Sequence, residues 1–286
     1  MKKTTVLPLV LLLLLVEFAN VLAQNKKPLY TFPFGLQAYT YRNSFPKGVA
    51  ATLDTIKSLG ITELEGGPPT GMTNAAFKDL CTERGIKIVG IGGNYESLLK
   101  DPTQAVKHAQ ELGAKYLTCY WIPHKKRGAF SLEEAKKAVV DFNQIGKVLH
   151  ENGITFCYHN HGYEFQPYQD GTLFDYIVKN TNPKYVSFEL DIMWAQHGGA
   201  VPAQLLSKYG KRWKLLHLKD LKKGVKGNLT GGTPQENDVI LGTGQVDIVT
   251  ILKIAKKLRI KHYFIEDETN QVAYQLPRSI AYLKSL

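Results

Sequence analysis

Residues 155–165 read TFCYHNHGYEF, an apolar run that breaks into His159, Asn160 and His161 with Glu164 close behind. Further along stand Asp191, then His217 with Lys219 and Asp220, then Glu266 with Asp267 and Glu268. If such carboxylates and imidazoles are gathered in one place, like charges repel and buried polar groups go unpaired unless an opposite charge joins them. A divalent cation answers that need, and a mixed oxygen and nitrogen donor set suits Mn2+, Mg2+, Co2+ or Zn2+ rather than a metal that prefers thiolates. Asp191, His217 and Glu266 are the expected ligands. The fourth position belongs to His159 or to Glu164 reaching back from its loop. A histidine pair beside such an ion supplies one ligand and one general acid or base.

For these residues to meet, regular elements must carry them to one place. Eight short runs have strand character: FGLQAYT, ITELEG, IKIVGIGG, KYLTCYW, ITFCYHNH, YVSFELD, WKLLHLKD and HYFIEDE. Between them lie amphipathic helical patterns such as DPTQAVKHAQELG and SLEEAKKAVVDFNQIGKVLHENG. Several close on a glycine, as at Gly113 and Gly153, where a helix end takes a positive φ. Strict alternation predicts parallel strands, and a count of eight predicts closure into a single (β/α)8 TIM barrel with its site at the C-terminal strand ends. Those ends add Gln37, Glu65, Asn94, Trp121 and His124. Glu65 is expected to contact a substrate hydroxyl or to steady a ligand through a hydrogen bond. Trp121, Trp194 and His197, with Tyr39 and Tyr120, are expected to stack on or bond to substrate. The stretch 221–238, rich in Gly, Lys, Asn and Thr, is the longest irregular piece and has the character of a lid.

The chain opens with Lys2 and Lys3, the apolar run VLPLVLLLLLV and the small residues Val21 and Ala23. This pattern predicts a secretory signal over residues 1–23, leaving 24–286 as one barrel domain. The run is short for a hydrocarbon core about 30 Å thick, so export to a periplasm or the medium without a membrane anchor is expected. The net charge of +11 comes from lysines scattered over the helical patterns, which read as a solvated basic face. An exported chain rarely meets nucleic acid, so that partner is not expected; a homo-oligomer is left open. Cys81, Cys119 and Cys157 are odd in number, lack the spacing of a metal clip, and are expected as buried free thiols.

Taken together, ITELEG, YHNHGYEF, ELDIMWAQHGG, LLHLKD, LGTGQVDI and YFIEDE resemble the xylose isomerase-like barrel superfamily. Its members are often described as sugar phosphate isomerases/epimerases, with inosose dehydratase and endonuclease IV among their relatives. The resemblance covers essentially all of the chain after the signal and implies a carbohydrate substrate and a divalent metal. In sugar epimerases of this superfamily the metal is held by a Glu on strand five, an Asp on six, a His on seven and a Glu on eight. Asp191, His217 and Glu266 match the last three, while His159 stands where the first Glu is expected. Those epimerases use their two glutamates as an acid/base pair, so the departure is closer to the histidine-rich strand five of the inosose dehydratase-like branch.

The chemistry this implies is proton removal beside a carbonyl by Glu266 or His161, with the metal stabilising the enediolate. His159 and His161 then divide the roles of ligand and acid/base. Reprotonation makes an isomerase or epimerase, the expected activity; loss of a β-substituent makes a lyase or dehydratase acting on a 3-keto-glycoside or inosose-like substrate. Export weighs against sugar phosphates and favours a free or oxidised sugar, and Lys219 with the basic loop DLKKGVKGN suits an acidic one such as a uronate. A non-catalytic sugar-binding barrel is the alternative that intact Asp191, His217 and Glu266 argue against. An endonuclease would need more ligands than these strand ends supply.

Overall fold

The computed structural model describes residues 28–125 and 129–286, so the expected signal lies outside the described residues. Eight strands form where the β-branched and aromatic runs predict them: β1 (Phe34–Gln37), β2 (Ile61–Glu65), β3 (Lys87–Gly93) and β4 (Tyr116–Cys119), then β5 (Thr155–His159), β6 (Val186–Asp191), β7 (Trp213–Leu218) and β8 (His262–Ile265). Each pairs in parallel with its neighbours in sequence, and β8 returns to β1 through Gly35↔Phe264 and Leu36↔Ile265, closing a TIM barrel.

A helix follows each strand and covers the barrel: α1 (Val49–Ser58), α2 (Asn74–Glu83), α3 (Pro102–Leu112), α4 (Leu132–Glu151), α5 (Leu173–Asn180), α6 (Pro202–Tyr209), α7 (Ile248–Lys257) and α8 (Val272–Ser285). Their starts are written in the sequence. Ser131 and Glu134 form a reciprocal capping box on α4, Thr172 and Asp175 do the same on α5, and Asp101 accepts from Thr103 and Gln104 at the head of α3. Gly113 (φ 75°) and Gly153 (φ 73°) follow the ends of α3 and α4 in the left-handed conformation their positions predict.

Successive side chains of a strand point to opposite faces, so the barrel interior fills in layers. Near the N-terminal ends His262 Nδ1 meets Glu63 at 2.8 Å. Above lies an apolar plug of Val89, Cys157, Leu215 and Phe264. Above that the interior turns polar, with Glu65, His159, Glu189 and His217 all buried. Small residues make room for this filling: a Cβ on Gly35 would stand 2.8 Å from the Phe264 ring and 2.5 Å from the Tyr263 carbonyl. The three cysteines are free and buried, as expected.

The stretch 221–238 is pinned at its base, where Asp220–Leu221 pairs antiparallel with Asp238–Val239. From there it leans over the mouth, with Gly231 against Tyr163 and Trp121 and Gly227 against the His197 backbone. The LGTGQ segment wraps Asp220, whose carboxylate accepts from Gly242 N (2.9 Å), Gly244 N (2.9 Å) and Val246 N (3.0 Å). Those amides are thus spent on an internal anion that anchors the end of strand β7. Among the described residues no helix is long and apolar enough to cross a membrane.

Gly146 is the closest approach of α4 to the sheet, since a Cβ there would collide with the Tyr185 carbonyl oxygen just before β6. Gly146→Ala is therefore expected to destabilise by about 1–3 kcal/mol, despite the roughly 1 kcal/mol that Ala gains over Gly in a helix. Denaturant midpoints of the two proteins check this; an unchanged or raised midpoint would contradict tight packing at that contact.

Candidate functional site

Strand geometry delivers the side chains named from the sequence to one mouth. His159 ends β5, Asp191 ends β6, His217 lies one residue inside the end of β7, and Glu266 directly follows β8. Asp191 is placed with particular care. The Asn160 side chain bridges its backbone, accepting from Asp191 N and donating to Asp191 O at 3.1 Å each, and so continues the β5–β6 pairing one step beyond the strand. Asp191 Oδ1 accepts from Trp194 N at 2.7 Å, capping the short helix Ile192–His197.

That leaves Asp191 Oδ2 buried without a partner, and the same holds for His217 Nδ1. Asp191 Oδ2 lies 3.9 Å from His159 Nε2 and 3.9 Å from His217 Nδ1, and Glu266 Oε2 lies 3.4 Å from His217 Nδ1. His159, Asp191 and His217 each turn a ligand-type atom toward a common point, all within 4.8 Å of one another. Unpaired buried donors and acceptors are costly, and two imidazoles with two carboxylates are the donors that Zn2+, Mn2+ or Co2+ accept. The residues fit a divalent cation, which His159, Asp191 and His217, with Glu266 beside them, would hold.

The second layer backs this group. His217 Nε2 donates to Glu65 Oε2 at 2.7 Å, which leaves Nδ1 as the atom turned to the centre. Glu65 also accepts from Gln37 Nε2 (2.9 Å) and Thr118 Oγ1 (3.0 Å). Gln37 in turn reaches the Tyr120 hydroxyl at 2.9 Å. Glu189, two residues before Asp191 on the same inward face, contacts both histidines and was not foreseen from the sequence.

Charge states follow from burial and neighbours. Burial pushes Asp191 up to about 7, with Lys219 and His217 opposing the rise. Burial, then the adjacent Glu65, pushes Glu189 well above the usual carboxylate range. Burial works against charge on His217, yet Glu189, Glu266 and Glu65 together raise it well above an ordinary imidazole. Glu266 goes the other way: burial is overcome by Lys219 and His217, which hold it well below the usual range. Lys219 Nζ donates to Glu266 Oε2 at 3.1 Å and also to Glu268. His161 is pushed down to about 3, by burial first and then by Lys219, so its imidazole is neutral.

A cavity of about 610 Å³ opens above this group, lined by His159, His161, His217, Glu266, Tyr120 and Tyr39 among others. Tyr39 and Trp121 are exposed at the mouth, at 51% and 40%. Trp121 stacks on His124 and lines a neighbouring cavity. Trp194 and His197, expected to touch substrate, instead pack against each other, both buried, behind the wall of the cavity. Lys219 is also fully enclosed, its ammonium 5.5 Å from the Trp194 ring, so it acts through Glu266 and Glu268. Glu65 takes the supporting role of its two expected ones.

Glu164 is a correction to the ligand set. Its carboxylate accepts from Gly162 N (2.7 Å), His161 N (3.0 Å) and the Tyr158 hydroxyl, so it folds the turn after β5 and does not join the centre. A carboxylate can accept several backbone N–H groups of a tight turn, and Gly162 (φ 94°) bends the chain so that it does. Sequence spacing placed Glu164 near the histidines, but the turn points it inward beneath them.

A closed (β/α)8 barrel with a histidine and carboxylate centre at its C-terminal mouth defines the class. Residues 53–286 match the family model described as Xylose isomerase-like TIM barrel, and the chain belongs to that family of enzymes. An inosose dehydratase of Klebsiella pneumoniae is 22% identical over 245 residues, 76% of this chain and 81% of that one. An inosose dehydratase of Bacillus anthracis is 31% identical over 101 residues, which span 35% of this chain and only 33% of the relative. A solved sugar phosphate isomerase/epimerase from Parabacteroides distasonis superposes with a TM-score of 0.71 at 26% identity, covering 88% of this chain and 97% of that one. The IOLI protein, solved with a zinc atom, shares the fold at a TM-score of 0.69 and 14% identity, covering 88% and 95%.

Two outcomes are expected of the purified protein. Glu164→Gln places an NH2 group against backbone donors and should lower stability by about 1–3 kcal/mol while leaving metal content unchanged. Loss of the metal with stability intact would restore Glu164 as a ligand. Metal affinity should fall as pH falls through the neutral range, because the protons that Asp191 and His217 carry must be displaced before an ion can bind. Calorimetric titration should therefore give at least about tenfold weaker binding at pH 6 than at pH 8; a flat profile would remove Asp191 from the ligand set.

Proposed function

We propose that this protein is a divalent-metal-dependent isomerase or epimerase that takes a proton from the carbon beside a carbonyl of a small carbohydrate. The observation that carries the reading is the convergence of unpaired Asp191 Oδ2 and His217 Nδ1 with His159 Nε2 at the floor of an open cavity. When bound, the ion would draw electron density from the carbonyl and stabilise the charge of the enediolate. The zinc in the solved IOLI structure makes Zn2+ one natural occupant, beside Mn2+, Mg2+ and Co2+.

The chain's own groups handle the proton. Lys219 keeps Glu266 ionised and therefore in its proton-accepting form across the neutral range. His161 is neutral and lines the same cavity, and its Nδ1 is buried without a partner among the described residues; burial and Lys219 disfavour a charge on it, so it serves to hydrogen-bond and orient a substrate hydroxyl. Exposed Trp121 and Tyr39 offer apolar faces to a pyranose ring at the mouth. The stretch 221–238 narrows access of water on the Trp121 side. Export, expected from residues 1–23, belongs to the same proposal and favours a free or oxidised sugar over a sugar phosphate.

A lyase or dehydratase is the second reading. Two observations favour it: an imidazole, His159, ends β5 where a second carboxylate base would stand, and several relatives are inosose dehydratases. Both reactions share the first proton abstraction and part only at the enediolate.

Incubation of the Mn2+-loaded protein in D2O with free sugars, uronates, 3-keto-glycosides and sugar phosphates, read by mass spectrometry, separates them. The expected product has unchanged composition and one solvent deuteron, and Glu266→Gln slows its formation by about 100-fold or more. Loss of water or of an aglycone would establish the lyase reading. Turnover of phosphorylated sugars alone would overturn the substrate expectation, and no turnover or exchange of any compound would favour a binding protein.

A further inference from the structure

Two histidines face the centre with different nitrogens. His159 presents Nε2 and His217 presents Nδ1, and their rings lie 4.5 Å apart at 63°. Each ring is therefore useful only in one tautomer, with its N–H on the far side, and the tautomers are opposite. The far-side nitrogens, His159 Nδ1 and His217 Nε2, both look down into the layer below. Glu189 occupies the gap between them: Oε2 stands 3.2 Å from His159 Nδ1, and Oε1 stands 3.4 Å from His217 Nε2. Glu65 is the partner to which His217 Nε2 donates, at 2.7 Å, and it also accepts from Gln37 and Thr118. Glu189 is fully buried and, among the described residues, its one hydrogen bond is accepted by Oε2 from His159, while Oε1 lies beside His217 without a hydrogen bond.

We infer that Glu189 is a positioning residue that holds His159 in the tautomer presenting Nε2, while Glu65 does the same for His217 and its Nδ1, so that two buried carboxylates make the imidazoles a preorganised ligand pair of opposite tautomers. Partners behind a ligating histidine set its tautomer and orientation and raise its basicity. Here β6 supplies both layers, Asp191 to the centre and Glu189 two residues earlier to its support, so the spacing of ligand and clamp is set by the pleat of one strand. The inference rests on the reading of the centre as a metal site.

The test is calorimetric titration of the metal-stripped full chain with Mn2+, for the wild type and for Glu189→Gln, beside thermal midpoints with and without the ion. Gln fills the same space but offers His159 Nδ1 a neutral amide oxygen in place of a carboxylate, which lowers the basicity of Nε2. The expected result is one Mn2+ per chain in both proteins, with affinity about 10–100-fold weaker in the variant. The metal-free midpoint should hold, because without an ion the His159 ring is free to take whichever tautomer suits the amide. A lower metal-free midpoint with unchanged affinity would make Glu189 merely structural and overturn the inference. Two Mn2+ per wild-type chain, dropping to one in the variant, would make it a ligand and overturn it equally.

A wild type that binds no Mn2+ or Zn2+ would instead overturn the metal reading itself. If the variant does not fold, ring 15N shifts of the Zn2+-loaded wild type decide. Protonated Nδ1 on His159 with protonated Nε2 on His217 is the expected pattern, and the same tautomer on both rings overturns the inference.

Discussion

Everything at the barrel mouth answers to one constraint: ionisable groups that have been taken out of water must find charge or hydrogen bonds from one another. Glu65, Glu189 and Asp191 are completely buried, with His159, His217 and Lys219 beside them. An uncompensated buried charge costs several kcal/mol, a sizeable share of a domain's net stability. The group meets this cost by interlocking. Lys219 balances Glu266 and Glu268, His217 balances Glu65, and Asp220 fills a ring of backbone amides. What the group does not balance within itself is the cluster of atoms around Asp191 Oδ2, and that residue of imbalance is where chemistry can enter.

Space is the companion constraint. The polar layer fits inside the barrel because β3 contributes glycines where the other strands contribute bulk. A Cβ on Gly92 would come within 2.5 Å of the Tyr120 ring, and one on Gly90 would touch Glu65 at 3.5 Å. Tyr120 thereby leans across the mouth, where its hydroxyl meets Gln37 and its ring stands 5.4 Å from His159. The tie from Ile122 N to the Tyr163 hydroxyl holds the loops after β4 and β5 together, so His161 and Trp121 form one wall. Rigid backing of this kind limits how far the ligands can relax when the site changes its charge.

The barrel was legible because each strand announces itself locally. ITELEG and WKLLHLKD are short apolar runs of strand length set between turn residues, and glycines such as Gly113 and Gly153 mark where helices stop. The residues at the mouth were legible for the same reason: once strand ends are known, Asp191, His217, Glu266 and His159 follow. Glu189 was hidden because, within FELD, a carboxylate two places before a strand end looks like any inward strand position. Only period-two counting from Asp191 would have shown that it shares the same face. Trp194 and His197 looked exposed to substrate because they follow a strand end closely. The short helix Ile192–His197, capped by Asp191 itself, turns them into the wall.

By itself, then, the sequence determined the alternation of elements, the closure into eight strands and the identity of the polar groups at their ends, because these depend on contacts between near neighbours. Tertiary structure alone decided which carboxylate does what. Glu164 and Glu189 are both acidic residues near the same histidines in the folded chain. One is consumed by the amides of its own turn, and the other is placed between two rings from different strands. Direction and partner depend on the pleat, the barrel register and a glycine turn at Gly162, quantities that exist only when distant strands have been brought side by side.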